Sequence, residues 1–321
     1  MDIEFVISES LTGERLDQAI TIMVAGVSRS STAEAVKSGI IRVSGQIRKP
    51  GYRVKPGDVV SGILPDPGIM VVEPQAIALD ILFEDDHIII INKAPGLVVH
   101  PAPGNETGTL VNALLHRFPE LKTVGETQFR AGIVHRLDKD TSGVMVIART
   151  DSSFEFLQKE FKERRVSKRY LALATGDLGG DQGEIVLPIG RHPVHRKRMA
   201  VVTDGGRPAQ TLWRLRKQFD NASLVEVELK TGRTHQIRVH FRAMGTPLLG
   251  DSVYGFKNRV NSRTNPAFHL EKLVGRQMLH SWKLGFIHPW LAEQVHFRAP
   301  LPGDFRQILR RLNAHGQIPR D

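Results

Sequence analysis

The stretch Ser223-Leu224-Val225-Glu226-Val227-Glu228-Leu229-Lys230 sets Val225, Val227 and Leu229 against Glu226, Glu228 and Lys230. A period of two is that of a strand, and one apolar face with one charged face is the pattern of a half-buried strand in an antiparallel sheet. The valines and the leucine are expected to point inward and the charged residues outward. Working outward from there, residues 88–91 are four isoleucines closed by Asn92-Lys93-Ala94-Pro95-Gly96, which predicts a fully buried strand, and residues 144–148 predict another. Ser152-Ser153-Phe154-Glu155 has the spacing of a capping box, with Phe154, Leu157 and Phe161 along one helical face. Helices and strands alternate without regular strand-helix-strand units. The class expected over residues 77–321 is therefore α+β, built on a mixed, largely antiparallel sheet with flanking helices.

Toward the N-terminus the pattern changes. Leu64-Pro65-Asp66-Pro67-Gly68, with Pro74 following, reads as a linker over residues 63–76. Before it, a helical pattern begins at Arg15-Leu16-Asp17. Ser28-Arg29-Ser30-Ser31 offers N-cap residues for a second helix running to Lys37, and Gly39 is placed to end it. Residues 40–43 read as a strand turning at Ser44-Gly45, and a further pair of short strands is bounded by Lys49-Pro50-Gly51 and Pro56-Gly57-Asp58. Arg15, Arg29 and Lys37, with Arg42, Arg48, Lys49, Arg53 and Lys55, would give this small domain a basic face.

Charge and composition narrow the function. The 321 residues carry 44 Lys and Arg against 34 Asp and Glu, a formal charge of +10. Such an excess favours a polyanionic partner, because each neutralised phosphate releases condensed counterions. Cysteine is absent, which removes disulfides, thiolate nucleophiles and zinc-thiolate sites together. Met1-Asp2-Ile3-Glu4 is neither basic nor apolar, and the longest aliphatic run is far too short to span a bilayer. A soluble, unprocessed, cytoplasmic chain is expected, with no membrane or metal partner. A monomer is only the default expectation.

Three places can carry chemistry. Asp138 sits among turn formers in His135-Arg136-Leu137-Asp138-Lys139-Asp140-Thr141-Ser142-Gly143. Locally it reads as a turn aspartate accepting backbone N–H groups, or as a reactive carboxylate kept charged by a cation such as Arg136. In Thr231-Gly232-Arg233-Thr234-His235-Gln236-Ile237-Arg238-Val239-His240, Thr234 is placed to cap a helix with Ile237, Phe241 and Met244 on its apolar face and Gly245 at its end. Arg238 falls at the edge of that face, a position that is usually on the surface. His235 and His240 do not share a helix face and make poor metal ligands. Tyr170 lies in the strand pattern of residues 167–173. The densest basic run, Arg191 to Arg198 with Arg196, Lys197 and Arg198 together, suits phosphate contact.

Taken together these motifs resemble the RluA family of pseudouridine synthases. The resemblance is carried by His-Arg-Leu-Asp at 135–138, Lys-Arg-Tyr at 168–170, Gly-Arg-Pro-Ala-Gln-Thr at 206–211, the 231–238 segment, Gly-Asp-Ser-Val-Tyr-Gly at 250–255 and Leu-His at 279–280. Residues 13–62 resemble an S4 RNA-binding domain, with Ser44 where that family usually has asparagine. The resemblance implies an RNA uridine-to-pseudouridine isomerase that needs no cofactor. In it, Asp138 is the nucleophile, Tyr170 stacks on the base and shuttles a proton, Arg238 partners the aspartate, and Arg136 fills the gap left by a flipped base. Arg233 and His235 join the RNA-binding set. The implied partner is 23S rRNA or the large ribosomal subunit precursor, at the helix 69 stem-loop. Isomerisation on tRNA or another rRNA site, or a non-catalytic RNA-binding role in ribosome assembly, are the alternatives. Whether Asp138 attacks C1′ or C6, or assists elimination to a glycal, is not written in the residues.

Overall fold

Strand β1 (Asp2–Val6), helices α1 (Leu16–Met23) and α2 (Arg29–Lys37), and strands β2 (Ile41–Val43) and β3 (Val59–Ile63) build the first of two units in the computed structural model, Met1–Val71 and Val72–Asp321. The structure describes residues 1–24, 26–27, 29–64, 72–102, 104–125, 130–195, 198–255 and 274–315. Ser28 and half of the expected linker, residues 65–71, lie outside them.

In the first unit the strand order is β1-β3-β2, all antiparallel, over a core that includes Leu16, Ile20, Val36, Ile41 and Val60. Both expected helices form. The strands differ from expectation, because residues 52–55 make only an isolated bridge between Arg53 and Arg15. The outer partner of β3 is instead β1, a strand with no turn signal to mark it. Ser44 takes φ +49 and Gly45 φ +78, a two-residue turn in which both positions are left-handed. A serine is strained there, and its Oγ offsets the strain by accepting the Val59 N–H at 3.2 Å.

The larger unit contains β4 (Ile81–Glu84), β5 (Ile88–Lys93), α3 (Leu110–Arg117), β6 (Ser142–Ala148), α4 (Asp151–Lys162), β7 (Ser167–Thr175), β8 (Gln182–Val186), β9 (Ile189–Arg191), β10 (Met199–Val201), β11 (Gln210–Phe219), β12 (Ala222–Leu229), α5 (Gln236–Ala243), β13 (Leu279–Ile287), β14 (Gln294–Arg298) and α6 (Gly303–His315). One sheet runs β4-β5-β6-β13-β7-β12-β11-β8, with β14 also on β13, and β9 pairs with β10 apart from it. Only β6 and β13 are parallel, so the sheet is mixed and the class α+β. All four isoleucines of β5 are fully buried, each contributing roughly 1.5–3 kcal/mol. Every residue of β6 is buried as well. Among the described residues no helix is long and apolar enough to cross a membrane.

Two local expectations need correction. In β12, Val225 and Val227 face the core, but Glu226 is also buried, because Arg216 and Arg169 close over its carboxylate. Helix α4 is capped by Thr150, whose hydroxyl accepts the Ser153 N–H, and not by Ser152. The cap moves two residues earlier because Asp151 and Ser152 already continue the helix.

The register of the central strands positions the site. Gly143 of β6 pairs with Ser281 of β13, Ser281 with Tyr170 of β7, and Tyr170 with Val227 of β12. Gly143 has φ +116, and a Cβ there would lie 2.1 Å from the Ser281 carbonyl oxygen. Only glycine permits that approach. The loop bearing Asp138 runs directly into β6, so this register brings it to the level of Tyr170.

Candidate active site

The Asp138 loop is fastened mainly through its backbone. The Lys139 carbonyl accepts from the Lys93 ammonium at 2.9 Å and from the Gly96 N–H at 3.0 Å, and the Asp140 carbonyl accepts from Arg276 at 2.9 Å. Lys93 is itself almost fully buried and gives its other two bonds to the carbonyls of Ala94 and Leu97. Burial pulls its pKa down to about 7 against the attraction of Asp140. At the start of the loop, His135 stacks on Phe161 at 4.6 Å and its Nε2 accepts the Val146 N–H at 3.1 Å. Burial, with Lys168 nearby, lowers its pKa to about 3, so it is a neutral anchor. With the backbone satisfied in this way, the Asp138 carboxylate receives no backbone N–H among the described contacts. The turn-aspartate role is therefore not the one it plays.

What meets Asp138 comes from α5 and the turn after it. Arg238 donates from Nη1 to Asp138 Oδ2 at 2.9 Å, and from Nε and Nη2 to both oxygens of Asp251 at 2.7 and 3.0 Å. Arg238 is 5% exposed, and the surface position expected for it is overturned by this bidentate pair. Burial works against its charge, but Asp251 and Asp138 outweigh that cost and raise its pKa. Burial likewise disfavours the Asp251 carboxylate. Arg238 and the N–H groups of Tyr254 and Val253, each at 2.9 Å, hold it below the usual range. The helix is not capped by Thr234. His235 occupies the N-cap position at φ +57, and the Gln236 side-chain oxygen Oε1 accepts from the Arg233 N–H and the Thr231 hydroxyl. The left-handed His235 turns its ring toward Asp138, with Nε2 3.8 Å from Oδ1. His240 is elsewhere in the core, both ring nitrogens engaged by Thr211 and Leu187.

Asp138, Tyr170, Arg238, Arg136, Arg233 and His235 all line one cavity of about 510 Å³. Tyr170 is buried in its wall. Burial raises its phenol pKa well above the ordinary value; the Ser281 hydroxyl opposes that rise and Asp138 adds to it. Arg136 is exposed at the rim. Arg233 is less comfortable as a cation than an isolated arginine, through burial and then through repulsion from Arg207 and Arg164. Arg198 lines a separate hollow, and Arg196 and Lys197 lie outside the described residues. In the first unit, Arg15 and Arg29 share the buried Asp17, with contacts of 3.0 and 3.3 Å. Lys37 lines a groove there with Arg15, Arg48, Lys49 and Tyr52. Lys93, Lys168, Arg207, Asp251 and Tyr254 received no role from sequence. Gly250-Asp251-Ser252-Val253-Tyr254 did carry a signal, since an Asp following a glycine turn commonly accepts the N–H groups two and three residues on.

A carboxylate with one oxygen paired to a buried guanidinium and the other open to a cavity is suited to nucleophilic work. Comparison with known proteins points the same way. The chain matches the RNA pseudouridylate synthase family over residues 87–243 and the S4 domain over residues 14–60. It is 41% identical over 316 residues to ribosomal large subunit pseudouridine synthase D of Zymomonas mobilis, spanning 96% of this chain and 97% of that protein. It is 44% identical over 307 residues to an uncharacterized RNA pseudouridine synthase of Chloroflexus aurantiacus, spanning 96% and 92%. Among solved structures, human RNA pseudouridylate synthase domain containing 1 aligns with a TM-score of 0.55 and 27% identity, over 75% of this chain and 96% of that one.

Proposed function

The chain belongs to the RNA pseudouridine synthases, and from that premise we propose that it isomerises uridines of large-subunit ribosomal RNA in the cytoplasm, at the helix 69 stem-loop of 23S rRNA, with Asp138 as nucleophile. The observation that carries the reading is the Asp138 carboxylate, which lines the cavity and is held by buried Arg238 through Oδ2.

The reaction breaks C1′–N1, turns the uracil and forms C1′–C5. The C5 hydrogen leaves as a proton and N1 gains one, so no atom is lost and no electrons are transferred. A stacked uridine cannot present C1′ to a carboxylate recessed in a cavity wall, so the nucleotide must be flipped out, and a cavity of about 510 Å³ has room for it. Arg136, long, planar and exposed at the rim, fills the vacated stack. Arg238 holds the carboxylate in place by donating from Nη1 to Oδ2 at 2.9 Å. Tyr170 retains its proton at neutral pH, as its raised pKa requires, and serves as a stacking surface and proton donor. Arg233, with Arg207 and Arg164, meets flanking phosphates, and Lys37 with its neighbours docks a more distant part of the RNA.

Resemblance to relatives named for the large ribosomal subunit supports the substrate assignment. The test is to map pseudouridines at nucleotide resolution after incubating the protein with 23S rRNA transcript and with unmodified tRNA. Modification in helix 69 is expected. Modification of tRNA alone would overturn the substrate and leave the chemistry standing.

A further inference from the structure

His235 and Tyr254 form a relay that ends beside Asp138. Tyr254 is buried, and among the described residues its hydroxyl has two close neighbours, the Met199 N–H at 2.8 Å and His235 Nδ1 at 2.8 Å. A backbone N–H can only donate, so the Tyr254 oxygen accepts there and its one proton is left for Nδ1. Were Nδ1 protonated instead, the tyrosine proton would face no acceptor among the described residues, and a buried unmet donor is costly. The neutral ring therefore carries its hydrogen on Nε2. The charged groups around it are Asp138 and Arg136 from the loop before β6, Arg238 from α5, and Asp251 from the turn after it. Burial is the largest influence and lowers the His235 pKa, with Arg238 and Arg136 adding to it and Asp138 and Asp251 opposing. A neutral donor thus lies 3.8 Å from a carboxylate oxygen, too far for a direct hydrogen bond.

Such a gap fits an oxygen that accepts from one side and donates to the other, about 2.8 Å from each. In an internal RNA nucleotide the 3′ and 5′ oxygens are esterified, and the uracil oxygens carry no proton. The 2′-hydroxyl is the only group of the nucleotide that both accepts and donates. We propose that His235 Nε2–H and Asp138 Oδ1 together grip the 2′-hydroxyl of the target uridine, making His235 the residue that reads ribose against deoxyribose, with Tyr254 positioning it. This rests on the reading above that the target nucleotide lies against Asp138.

The test pairs two substrates with four proteins. Single-turnover rates are measured on an RNA stem-loop carrying uridine or 2′-deoxyuridine at the target position, using wild type, His235→Asn, His235→Gln and Tyr254→Phe. Asparagine tolerates the left-handed backbone at 235 but falls short of the Nε2 position, whereas glutamine restores an N–H near it. Wild type should lose about 10- to 150-fold on the deoxy substrate, the loss of one hydrogen bond to a charged group. His235→Asn should lose a similar factor on the ribo substrate and then be nearly indifferent to the 2′-hydroxyl. His235→Gln should recover part of the discrimination. Losses that multiply independently would show that His235 does not touch that hydroxyl and overturn the proposal alone. Failure of wild type to turn over either RNA would take the proposal down together with the function it rests on. Nitrogen-15 spectra of histidine-labelled free enzyme read the tautomer directly. An Nε2–H ring in wild type that becomes a tautomer mixture in Tyr254→Phe is expected, and an Nδ1–H ring in wild type would refute the lock whatever the rates.

Discussion

Replacing Asp251 by asparagine removes one charge from the centre of the site and leaves its shape nearly intact. The Asn oxygen can still accept the N–H groups of Val253 and Tyr254, and it can take one bond from Arg238. What is lost is the anionic half of a bidentate pair around a guanidinium that is 5% exposed. Stripping one partner from a buried ion pair costs about 3–5 kcal/mol. The retained hydrogen bonds put the expected loss at the low end, about 3 kcal/mol. Trp213, Trp282 and Trp290 are the only tryptophans and all lie in the larger unit, so urea unfolding followed by their fluorescence reports that unit alone. With a slope of about 3 kcal/mol per molar urea, the midpoint should fall by about 1 M at pH 7. The pH dependence has a definite sign. The Asp251 pKa is depressed in the folded state, so its contribution is full above the ordinary carboxylate value of about 4 and fades as pH falls through the lower folded value. The gap between wild type and Asp251→Asn should therefore close in acid. An unchanged midpoint at pH 7, or a gap that persists undiminished below pH 3, would refute the reasoning that Asp251 holds Arg238 in place.

Other changes test the supports of the site. Gly143→Ala places a Cβ 2.1 Å from the Ser281 carbonyl at φ +116, and a loss of roughly 4 kcal/mol or more should lower the melting temperature by about 8–16 °C in circular dichroism; a shift under about 3 °C would mean that β6 and β13 need not approach so closely. Lys93→Met leaves three carbonyls without their ammonium partner, and a destabilisation of about 2–4 kcal/mol is expected in urea unfolding, with loss of turnover as the Asp138 loop loosens. A triple Lys37→Ala, Arg48→Ala, Lys49→Ala variant should bind rRNA more weakly and with a log–log salt slope smaller by about two, while keeping the bound-state rate. An unaltered slope in filter binding would remove the groove of the first unit from the RNA interface.

The sheet was legible where periodicity alone decides the matter. Val225, Val227 and Leu229 and residues 88–91 are buried as their patterns require, because alternation and continuous β-branched runs reflect burial directly. The site was less legible, because its depth is set by partners remote in sequence. Arg238 reads as a surface residue until Asp251 reaches it, and Lys93 reads as the polar end of a strand until three carbonyls enclose it. β1 was missed since nothing in Asp2–Val6 marks its pairing with β3, which lies more than fifty residues away. The tautomer of His235 depends on one backbone N–H of β10 that no pattern in the sequence announces. Asp138 itself could be read as reactive only through the family motifs. What separates it from a turn aspartate is that other groups fasten its loop and leave its carboxylate to Arg238 at the cavity wall.

The most direct measurement is tritium release from a large-subunit rRNA fragment carrying uridine labelled at C5, because C5 loses its hydrogen only when it becomes the new attachment to C1′. Wild-type protein should release tritium in step with pseudouridine formation. Asp138→Asn, which keeps the size of the side chain and one acceptor for Arg238, should bind the same RNA and release none. Release by Asp138→Asn at a tenth of the wild-type rate or more would contradict the assignment of Asp138 as the nucleophile.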